Sequence, residues 1–271
     1  MMRALWSAAS GMLAQQTNVD TISNNIANVN TVGFRSDKAE FKSLLYQNLQ
    51  AKTTTANGEQ KPIAAQVGLG TRVASITSSF SQGELTASDS NTAFAIEGDG
   101  MFSVRGLDNE MYFTRNGDFC WALGQNGLQL SSSEGYAVLD TTGNPIVLPE
   151  GVDANNVMVS SHGEIGYRDA EGNYNDLNMT IGTWQFNNPA GLKNISGTYF
   201  TETDASGEPL NEWTNPQLKR SSVHQGYLES SNVNVADEMV NMIIAQRAYE
   251  LNSKAIQTAD AMLGTANQLK S

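Results

Sequence analysis

A seven-residue repeat of apolar side chains near the C-terminus restricts the fold more than any other feature of this sequence. The a positions of the repeat are Val235, Met242, Tyr249, Ile256 and Leu263, and alanines occupy the d positions Ala245, Ala259 and Ala266. Such spacing is typical of a helix that packs against another helix along a narrow stripe. Asn234 is a candidate N-cap, and Asp237 and Glu238 lie in the first turn, where the helix dipole favours acidic residues. These features predict a helix over residues 235–270.

A second stripe of the same kind lies at the start of the chain. Its members are Leu5, Met12, Val19 and Ile26 at intervals of seven, with Ala8, Ile22 and Val29 three positions after members of that series. Gln15 interrupts the stripe, and Thr31, Val32 and Gly33 indicate a helix stop. Neither helix can bury its stripe alone. The two helices could pair as ordinary terminal helices of one globular domain, but stripes this narrow favour a helix–helix seam.

The region between the stripes has the sequence pattern of β structure. From Gly70 to about Phe200, short apolar or alternating runs are separated by turn signals, and Asn116-Gly117 and Asn126-Gly127 predict hairpins. Residues 47–66 are polar and predict a linker or an irregular arm.

Together these elements predict an α+β fold. Long N- and C-terminal helices are expected to pair as an α-helical, coiled-coil-like core domain, with a mainly antiparallel β domain inserted between them. The expected domains are residues 1–33 with 228–271 for the helical core, 34–66 for a connecting arm and 67–227 for the β-rich outer domain.

The net charge of −12 is concentrated in the middle of the chain. Residues 1–50 carry +1 and residues 226–271 carry −2, so residues 51–225 carry −11. Such an acidic body repels phosphate groups and anionic lipid, which argues against nucleic acid or a membrane surface as a partner. No stretch approaches the roughly 18 apolar residues of a membrane span. The charge also predicts that in an assembly the β domain faces outwards and the near-neutral ends form the core.

Candidates for catalysis are few. The chain has one cysteine, Cys120, and two histidines, His162 and His224, which lack the spacing of a zinc site. Cys120 lies in a predicted apolar strand, where a small buried hydrophobic side chain is the ordinary interpretation. We therefore expect no enzyme activity, no catalytic residue, no metal, no cofactor and no small-molecule substrate.

Both ends of the chain resemble one protein family. SNNIANVNTVGFR, from Ser23 to Arg35, and the preceding LWSAASGM resemble the N-terminal signature of the flagellar rod and hook axial proteins. QGYLESSNVNVADEMVNMIIAQRAYELNSKAIQTADAML, from Gln225 to Leu263, resembles the C-terminal helix of the same family, closely matching its distal-rod type. In the middle, YFTRNGDF is similar to a recurring hairpin of the family's β domain. The signature positions are Asn24, Asn25, Asn28, Thr31, Gly33, Phe34, Ser231, Asn232, Asn234, Gln246, Arg247 and Tyr249.

The resemblance implies a structural subunit of the bacterial flagellar rod, of the distal-rod type, that polymerises helically into the drive shaft between motor and hook. It implies contacts with further copies of the chain, with other rod and hook subunits and with the type III export apparatus. It also implies contacts with P- and L-ring proteins where the host has an outer membrane. The implied location is the basal body across the periplasm and cell wall, reached without a cleaved signal peptide. The start MMRALWSAASGMLAQQ agrees, since it lacks the pattern of a secretory signal.

The two stripes then become the expected assembly interface. Its residues are Leu5, Met12, Val19, Ile22, Ile26, Val29, Val235, Met242, Ala245, Tyr249, Ile256, Ala259 and Leu263. Two alternatives remain open at this point: the other long rod subunit of the same family, and an enzyme that acts on the cell wall.

Overall fold

A computed structural model describes residues 2–50, 65–106, 108–124, 127–149, 151–169 and 174–269. A long helix lies near each end, α1 (Met2–Ala27) and α2 (Val235–Gln268), and strands make up most of the regular structure between them. The strands are β1 (Asp37–Ser43), β2 (Tyr46–Gln50), β3 (Ala65–Gly68), β4 (Thr71–Ser78), β5 (Leu85–Ala87), β6 (Phe94–Glu97), β7 (Met101–Arg105), β8 (Met111–Thr114), β9 (Phe119–Gly124), β10 (Gly127–Ser132), β11 (Ala137–Val138), β12 (Val157–Val159), β13 (Glu164–Arg168), β14 (Tyr174–Thr180), β15 (Thr183–Gln185), β16 (Lys193–Ser196), β17 (Tyr199–Thr201), β18 (Leu210–Asn211), β19 (Ser222–Gln225) and β20 (Tyr227–Glu229).

The chain folds into two compact units. Unit 1 consists of Met1–Ala27, Asp37–Ser78 and Asn234–Ser271, and unit 2 consists of Asn28–Ser36 and Ser79–Val233. The backbone therefore passes between the units after Ala27, Ser36, Ser78 and Val233. The domain boundaries expected from the sequence, which are 1–33 with 228–271, 34–66 and 67–227, stay a prediction.

In unit 1, α1 and α2 contact each other in antiparallel directions. Asn25 near the end of α1 donates its Nδ2 to Oε1 of Glu238 near the start of α2 at 3.3 Å, and Gly11 lies against the side chain of Asn252 farther along α2. The side chains that the helices bury are Ala8, Ala14, Thr21, Ile22 and Asn25 on α1, and Ala245 and Ala259 on α2. Most of these are small, which allows a short distance between the helix axes.

The prediction of a coiled-coil-like helical core is wrong. A coiled coil buries its a and d side chains as knobs in holes of the partner helix. Instead α2 buries only the alanines Ala245 and Ala259, and it leaves the a residues Val235 and Tyr249 exposed. The polar side chain of Asn252 occupies the contact as well. Because α1 also packs against β1 and β4, unit 1 mixes helix and strand.

Four strands of unit 1 form two antiparallel pairs. β1 pairs with β4, with a bulge between Glu40 and Phe41, and β2 pairs with β3. These pairs correct the prediction of an irregular arm over residues 47–66, since its described ends belong to β2 and β3; residues 51–64 lie outside the described residues. Exposure alternates along β4, so Arg72, Ala74 and Ile76 face water on one side and the partly buried residues lie on the other.

Unit 2 contains the antiparallel β structure that the sequence predicts. One sheet runs in the order β16-β17-β8-β7-β11-β10-β9, and β15 pairs with both β7 and β18. β12, β13 and β14 form a second sheet, while β19 pairs with β6 and β20 with β5. The core of unit 2 consists of large apolar side chains, among them Phe94, Ile96, Phe102, Phe119, Leu130, Ile146, Ile165 and Ile181.

One of the two predicted hairpins is absent. β9 and β10 pair on either side of the second turn signal, of which residues 125 and 126 lie outside the described residues. Asn116-Gly117 forms no hairpin, because β8 pairs with β7 and β17 whereas β9 pairs with β10. The Asn116 side chain instead accepts a hydrogen bond from the Asp118 amide at 2.9 Å, and Gly117 lies directly against the carbonyl of Phe94.

The turn after α1 yields a prediction about glycine. Gly33 and Gly197 both lie in unit 2 with positive φ, 69° and 55°, where a side chain costs about 1 kcal/mol. A Cβ on Gly33 would lie 2.5 Å from the backbone nitrogen of Asn116, whereas one on Gly197 would meet nothing within 4 Å. We expect Gly197→Ala to lower the free energy of unfolding by about 1 kcal/mol and Gly33→Ala by roughly 3 kcal/mol or more. Urea unfolding followed by tryptophan fluorescence measures both, and equal losses would contradict the close approach at Gly33.

Candidate functional site

Unit 1 exposes a large set of apolar side chains to water. Those on or next to the helices are Met2, Trp6 and Leu13 on α1, Val235, Met239, Val240, Ile243, Ile244, Tyr249, Leu251 and Met262 on α2, and Leu269 directly after α2. Ile244 is 61% exposed and Leu251 is 66% exposed. Large exposed apolar patches on soluble proteins mark interaction sites. We call this set the candidate assembly surface.

Helix α2 is apolar on two sides. One side holds the buried Ala245 and Ala259, and the exposed residues Val240, Ile244 and Leu251 form a second row. Residues four and seven positions apart lie on the same face of a helix, so this outer row is a continuous stripe. The heptad analysis found the first side of α2 and missed the outer row.

The structure places the predicted interface residues in three environments. Ile22, Ala245 and Ala259 are buried; Leu5, Met12, Val19, Ile26, Val29, Met242, Ile256 and Leu263 are half-buried; Val235 and Tyr249 are exposed. Val29 lies beyond the end of α1 at Ala27. The part these residues play in assembly stays a prediction.

An open groove of about 390 Å³ lies between α1 and α2. It is lined by Gln16 and Val19 from α1 and by Gln246, Tyr249 and Glu250 from α2. Gln246 and Tyr249 belong to the family signature, and a third signature residue, Arg247, pairs with Glu250 at 2.8 Å on the exposed surface. The walls of the groove therefore combine amide and apolar groups.

Two signature asparagines organise the backbone of unit 1. The buried Asn25 accepts a hydrogen bond from the Asp37 amide at 2.9 Å and donates to the Asp37 carbonyl at 2.8 Å, so it binds both backbone groups of the first residue of β1. Asn234 caps α2 as the sequence predicts, because its Oδ1 accepts from the Ala236 amide at 3.1 Å. Asn24 lies exposed on α1.

Asn232, another signature residue, joins three segments of unit 2. Its Oδ1 accepts from the Ser36 amide at 2.8 Å, and its Nδ2 donates to the carbonyls of Ser79 at 2.8 Å and Ser81 at 3.1 Å. One amide side chain therefore binds backbone groups of three segments.

The other signature residues of unit 2 shape the segments next to the helices. The Thr31 hydroxyl donates to Oδ1 of Asn28 at 3.1 Å, which supports the turn after α1. Gly33 and Phe34 are buried. The Ser231 hydroxyl accepts a hydrogen bond from the amide two residues later at 3.3 Å.

A buried ion cluster in unit 2 was missed by the sequence analysis. Oε1 of Glu229 lies 2.8 Å from Nη2 of Arg35, and Oε2 lies 3.1 Å from Nη1 of Arg115. All three side chains are almost completely buried, and together they carry a net charge of +1. Burial lowers the pKa of Arg115 to about 10, while the Glu229 carboxylate opposes that shift. Each residue lies in a segment that carried the resemblance, but no spacing in the sequence connects them.

The three residues considered for catalysis lie at the surface of unit 2. Cys120 is exposed on β9, so its interpretation as a buried hydrophobic residue is wrong. His224 lies 2.9 Å from the carboxylate of Glu97 on the surface, and His162 is exposed. Among the described residues, no group of three or more His, Cys, Asp or Glu side chains is arranged to hold a metal ion. Neither described helix is long and apolar enough to cross a membrane.

Three protein-family descriptions match separate parts of the chain. "Flagella basal body rod protein" matches residues 5–35, which include most of α1. "Flagellar hook protein FlgE/F/G D1 domain" matches residues 95–167 of unit 2, and "Flagellar basal body rod FlgEFG protein C-terminal" matches residues 224–269, which contain α2.

Relatives align along the whole chain. The flagellar basal-body rod protein FlgG of Borreliella burgdorferi is 44% identical over 271 residues, which are 100% of this chain and 99% of the relative. The chain belongs to the flagellar basal-body rod protein FlgG family. FlgG of Buchnera aphidicola subsp. Schizaphis graminum is 39% identical over 272 residues, with 99% of this chain and 100% of the relative covered.

Membership of the FlgG family makes the chain a structural subunit of the flagellar distal rod, which belongs to the flagellar basal body. The rod and hook families are families of axial subunits that assemble with one another. The crystal structure of Helicobacter pylori flagellar hook protein FlgE2 shows a slight likeness, with 15% identity and a TM-score of 0.24 over 65% of this chain and 47% of the hook protein, too little to assign a fold.

Asn25 yields the second prediction. Asn25→Ala removes both hydrogen bonds to the Asp37 backbone, and a buried group left without a partner costs about 1–3 kcal/mol. We expect hydrogen exchange of the Asp37 amide to become about tenfold faster or more. Ser23→Ala, at an exposed position of the same helix, is the control and should leave that exchange rate unchanged. An Asp37 amide that exchanges equally slowly in Asn25→Ala would mean that β1 does not depend on Asn25.

Proposed function

We propose that this subunit polymerises helically through the candidate assembly surface and the groove of unit 1, and that the polymer is the drive shaft that carries torque from motor to hook. The observation that carries the proposal is the two-sided apolar character of α2, of which one side meets α1 and the outer row meets water. A subunit that polymerises needs an apolar surface that its own fold leaves uncovered, because a neighbouring copy binds by covering that surface.

The energetics favour this use of the outer row. Complete burial of a Val, Ile or Leu side chain contributes about 1.5–3 kcal/mol, and the exposed part of each residue in the row sets how much of that remains to be gained. Association costs translational and rotational freedom, so several apolar side chains per subunit are needed to offset it. The half-buried stripe residues Met12, Met242 and Ile256 add to the same interface, since a neighbour can cover what α1 and α2 leave open.

The charge distribution supports a radial order in the polymer. With −11 of the net charge in residues 51–225, packing these regions at the centre would bring like charges together. On the outside they are screened over roughly 10 Å at 0.1 M salt. We therefore place the β-rich region outwards and the terminal helices inwards in the rod.

The family resemblance supports finer assignments. In this proposal the subunit leaves the cell through the type III export apparatus without a cleaved signal peptide and lies in the part of the rod that spans the periplasm and cell wall. P- and L-ring proteins surround it where the host has an outer membrane. The subunit acts as a structural element and not as an enzyme.

Ile244→Asp tests the assembly surface. Because Ile244 is already exposed in the monomer, the monomer should keep its thermal unfolding transition within about 0.5 kcal/mol. The polymer should be lost, since a charge would enter an apolar contact. Ile195→Asp, on the exposed strand β16 of unit 2, is the matched control and should polymerise normally. Sedimentation and electron microscopy of purified protein report the outcome; an Ile244→Asp variant that polymerises like the parent would refute this surface.

Incubation with peptidoglycan separates the structural subunit from a cell-wall enzyme. A structural subunit should release no soluble muropeptides at any protein concentration. Chromatography of the supernatant measures this release against a lysozyme control. Release in proportion to the concentration of monomer would support the enzymatic alternative.

A further inference from the structure

Hydrogen bonds tie together three of the four places where the backbone enters or leaves unit 2. These places are marked by Ser36, Ser79 and Val233. The Ser79 amide donates to the Ser36 carbonyl at 2.8 Å. Asn232, which precedes Val233, accepts from the Ser36 amide and donates to the Ser79 carbonyl. The three backbone segments are therefore held at one point of unit 2.

The buried ion cluster attaches the same segments to the body of unit 2. Arg35, next to Ser36, donates from Nη1 to the Ser81 carbonyl at 2.8 Å. Glu229 accepts from the Gly83 amide at 2.8 Å through Oε1, and its backbone carbonyl accepts from the Gly33 amide at 2.8 Å.

Arg115 extends the cluster into the β structure. It donates from Nη1 to the carbonyl of Ile96, the third residue of β6, at 3.2 Å, and from Nη2 to the carbonyl of Gly98. The Glu229 carboxylate, in the segment before α2, thus binds Arg35 of the segment after α1 directly and is linked to the β6 region through Arg115.

Stability alone does not account for this cluster. Replacement of a buried ion cluster by apolar residues is often neutral or stabilising, because the desolvation of the charges is expensive. This desolvation is only partly compensated here, because among the described residues the buried Nε atoms of Arg35 and Arg115 have no hydrogen-bond partner. Charged hydrogen bonds differ from apolar contacts in having a fixed direction, which resists sliding and twisting.

We propose that Arg35, Arg115, Glu229 and Asn232 are positioning residues that hold these backbone segments together under torque, and we call the four residues the crossing clamp. The clamp makes the backbone segments at Ser36, Ser79 and Val233 move as one body with unit 2. Torque then reaches unit 2 through a cross-linked group of segments and not through separate peptide chains that can twist independently. The inference rests on the proposed function of the subunit as part of a torque-bearing shaft.

Two variants weaken the clamp in different ways. Arg115→Met removes the donor to Ile96 and Gly98 and leaves Arg35 and Glu229 as a neutral pair. Asn232→Asp keeps an acceptor for the Ser36 amide but replaces the donor to the carbonyls of Ser79 and Ser81 with a carboxylate oxygen, and it leaves the ion cluster intact. Arg168→Met, which removes the same charge from an exposed position on β13, is the control.

The test combines hydrogen exchange with swimming under load. In Asn232→Asp we expect the Ser79 amide of the purified full chain to exchange about tenfold faster or more, because the new carboxylate repels the carbonyl oxygens of Ser79 and Ser81. In Arg115→Met we expect the same of the Gly33 and Gly83 amides, while in both variants the β7 amides stay unchanged. In a strain that lacks the native gene, both variants should assemble rods and swim in dilute buffer but lose motility as viscosity is raised. The parent and Arg168→Met should swim across the whole range.

Each remaining outcome has a defined meaning. Variants with loosened segments that swim like the parent at every viscosity would overturn the clamp, and so would an Asn232→Asp variant whose Ser79 amide remains protected. If the β7 amides also exchange faster in Arg115→Met, this variant has lost the fold of unit 2. The test of the clamp then rests on Asn232→Asp alone. Failure of the parent gene to restore rods would instead refute the proposed function, which keeps the two hypotheses distinguishable.

Discussion

The antiparallel contact between α1 and α2 is the constraint on which the rest of the structure depends. The two helices come from opposite ends of the chain, so everything between them has to leave unit 1 and return to it, and the backbone passes between the units four times. The signature asparagines lie at these passages: Asn25 binds both backbone groups of Asp37, and Asn232 binds the amide of Ser36. The hydroxyl of Ser78 also donates to the Asp37 carboxylate at 2.6 Å. These signature asparagines thus hold the backbone in place where the chain passes from one unit to the other.

The two units bury their apolar residues in different ways. Unit 2 encloses large side chains such as Phe94, Phe102 and Ile181 almost completely, as a protein that folds on its own must do to offset lost conformational entropy. Unit 1 buries mainly small residues and leaves Trp6 and Ile244 in water. Unit 2 gains the free energy of apolar burial within one chain. Unit 1 can gain much of its own only when a neighbouring molecule covers the exposed side chains.

Sequence reasoning succeeded where local periodicity decides the structure. The heptad spacing and the Asn234 cap were enough to predict α2, which runs to Gln268, and alternation with turn residues was enough to predict the β character of unit 2. It failed where distant segments decide. β2 and β3 have polar sequences whose pairing depends on each other, and Gly117 serves the close approach of the Phe94 carbonyl instead of a hairpin. The ion cluster on Glu229 joins segments from three parts of the chain, which no spacing rule can foresee.

The failure of the coiled-coil prediction has a physical reason in α2 itself. A heptad repeat identifies a side of a helix that meets a partner, but it does not say how many partners the helix meets. Here the first side presents Ala245 and Ala259, which bury too little area to hold a long helix by themselves, and the outer row adds apolar area on another side. A helix with two apolar sides is poorly matched to water and well matched to a surrounding of several helices. The sequence of α2 is therefore better explained by the polymer than by the monomer, whereas the sequence of unit 2 is explained by its own core.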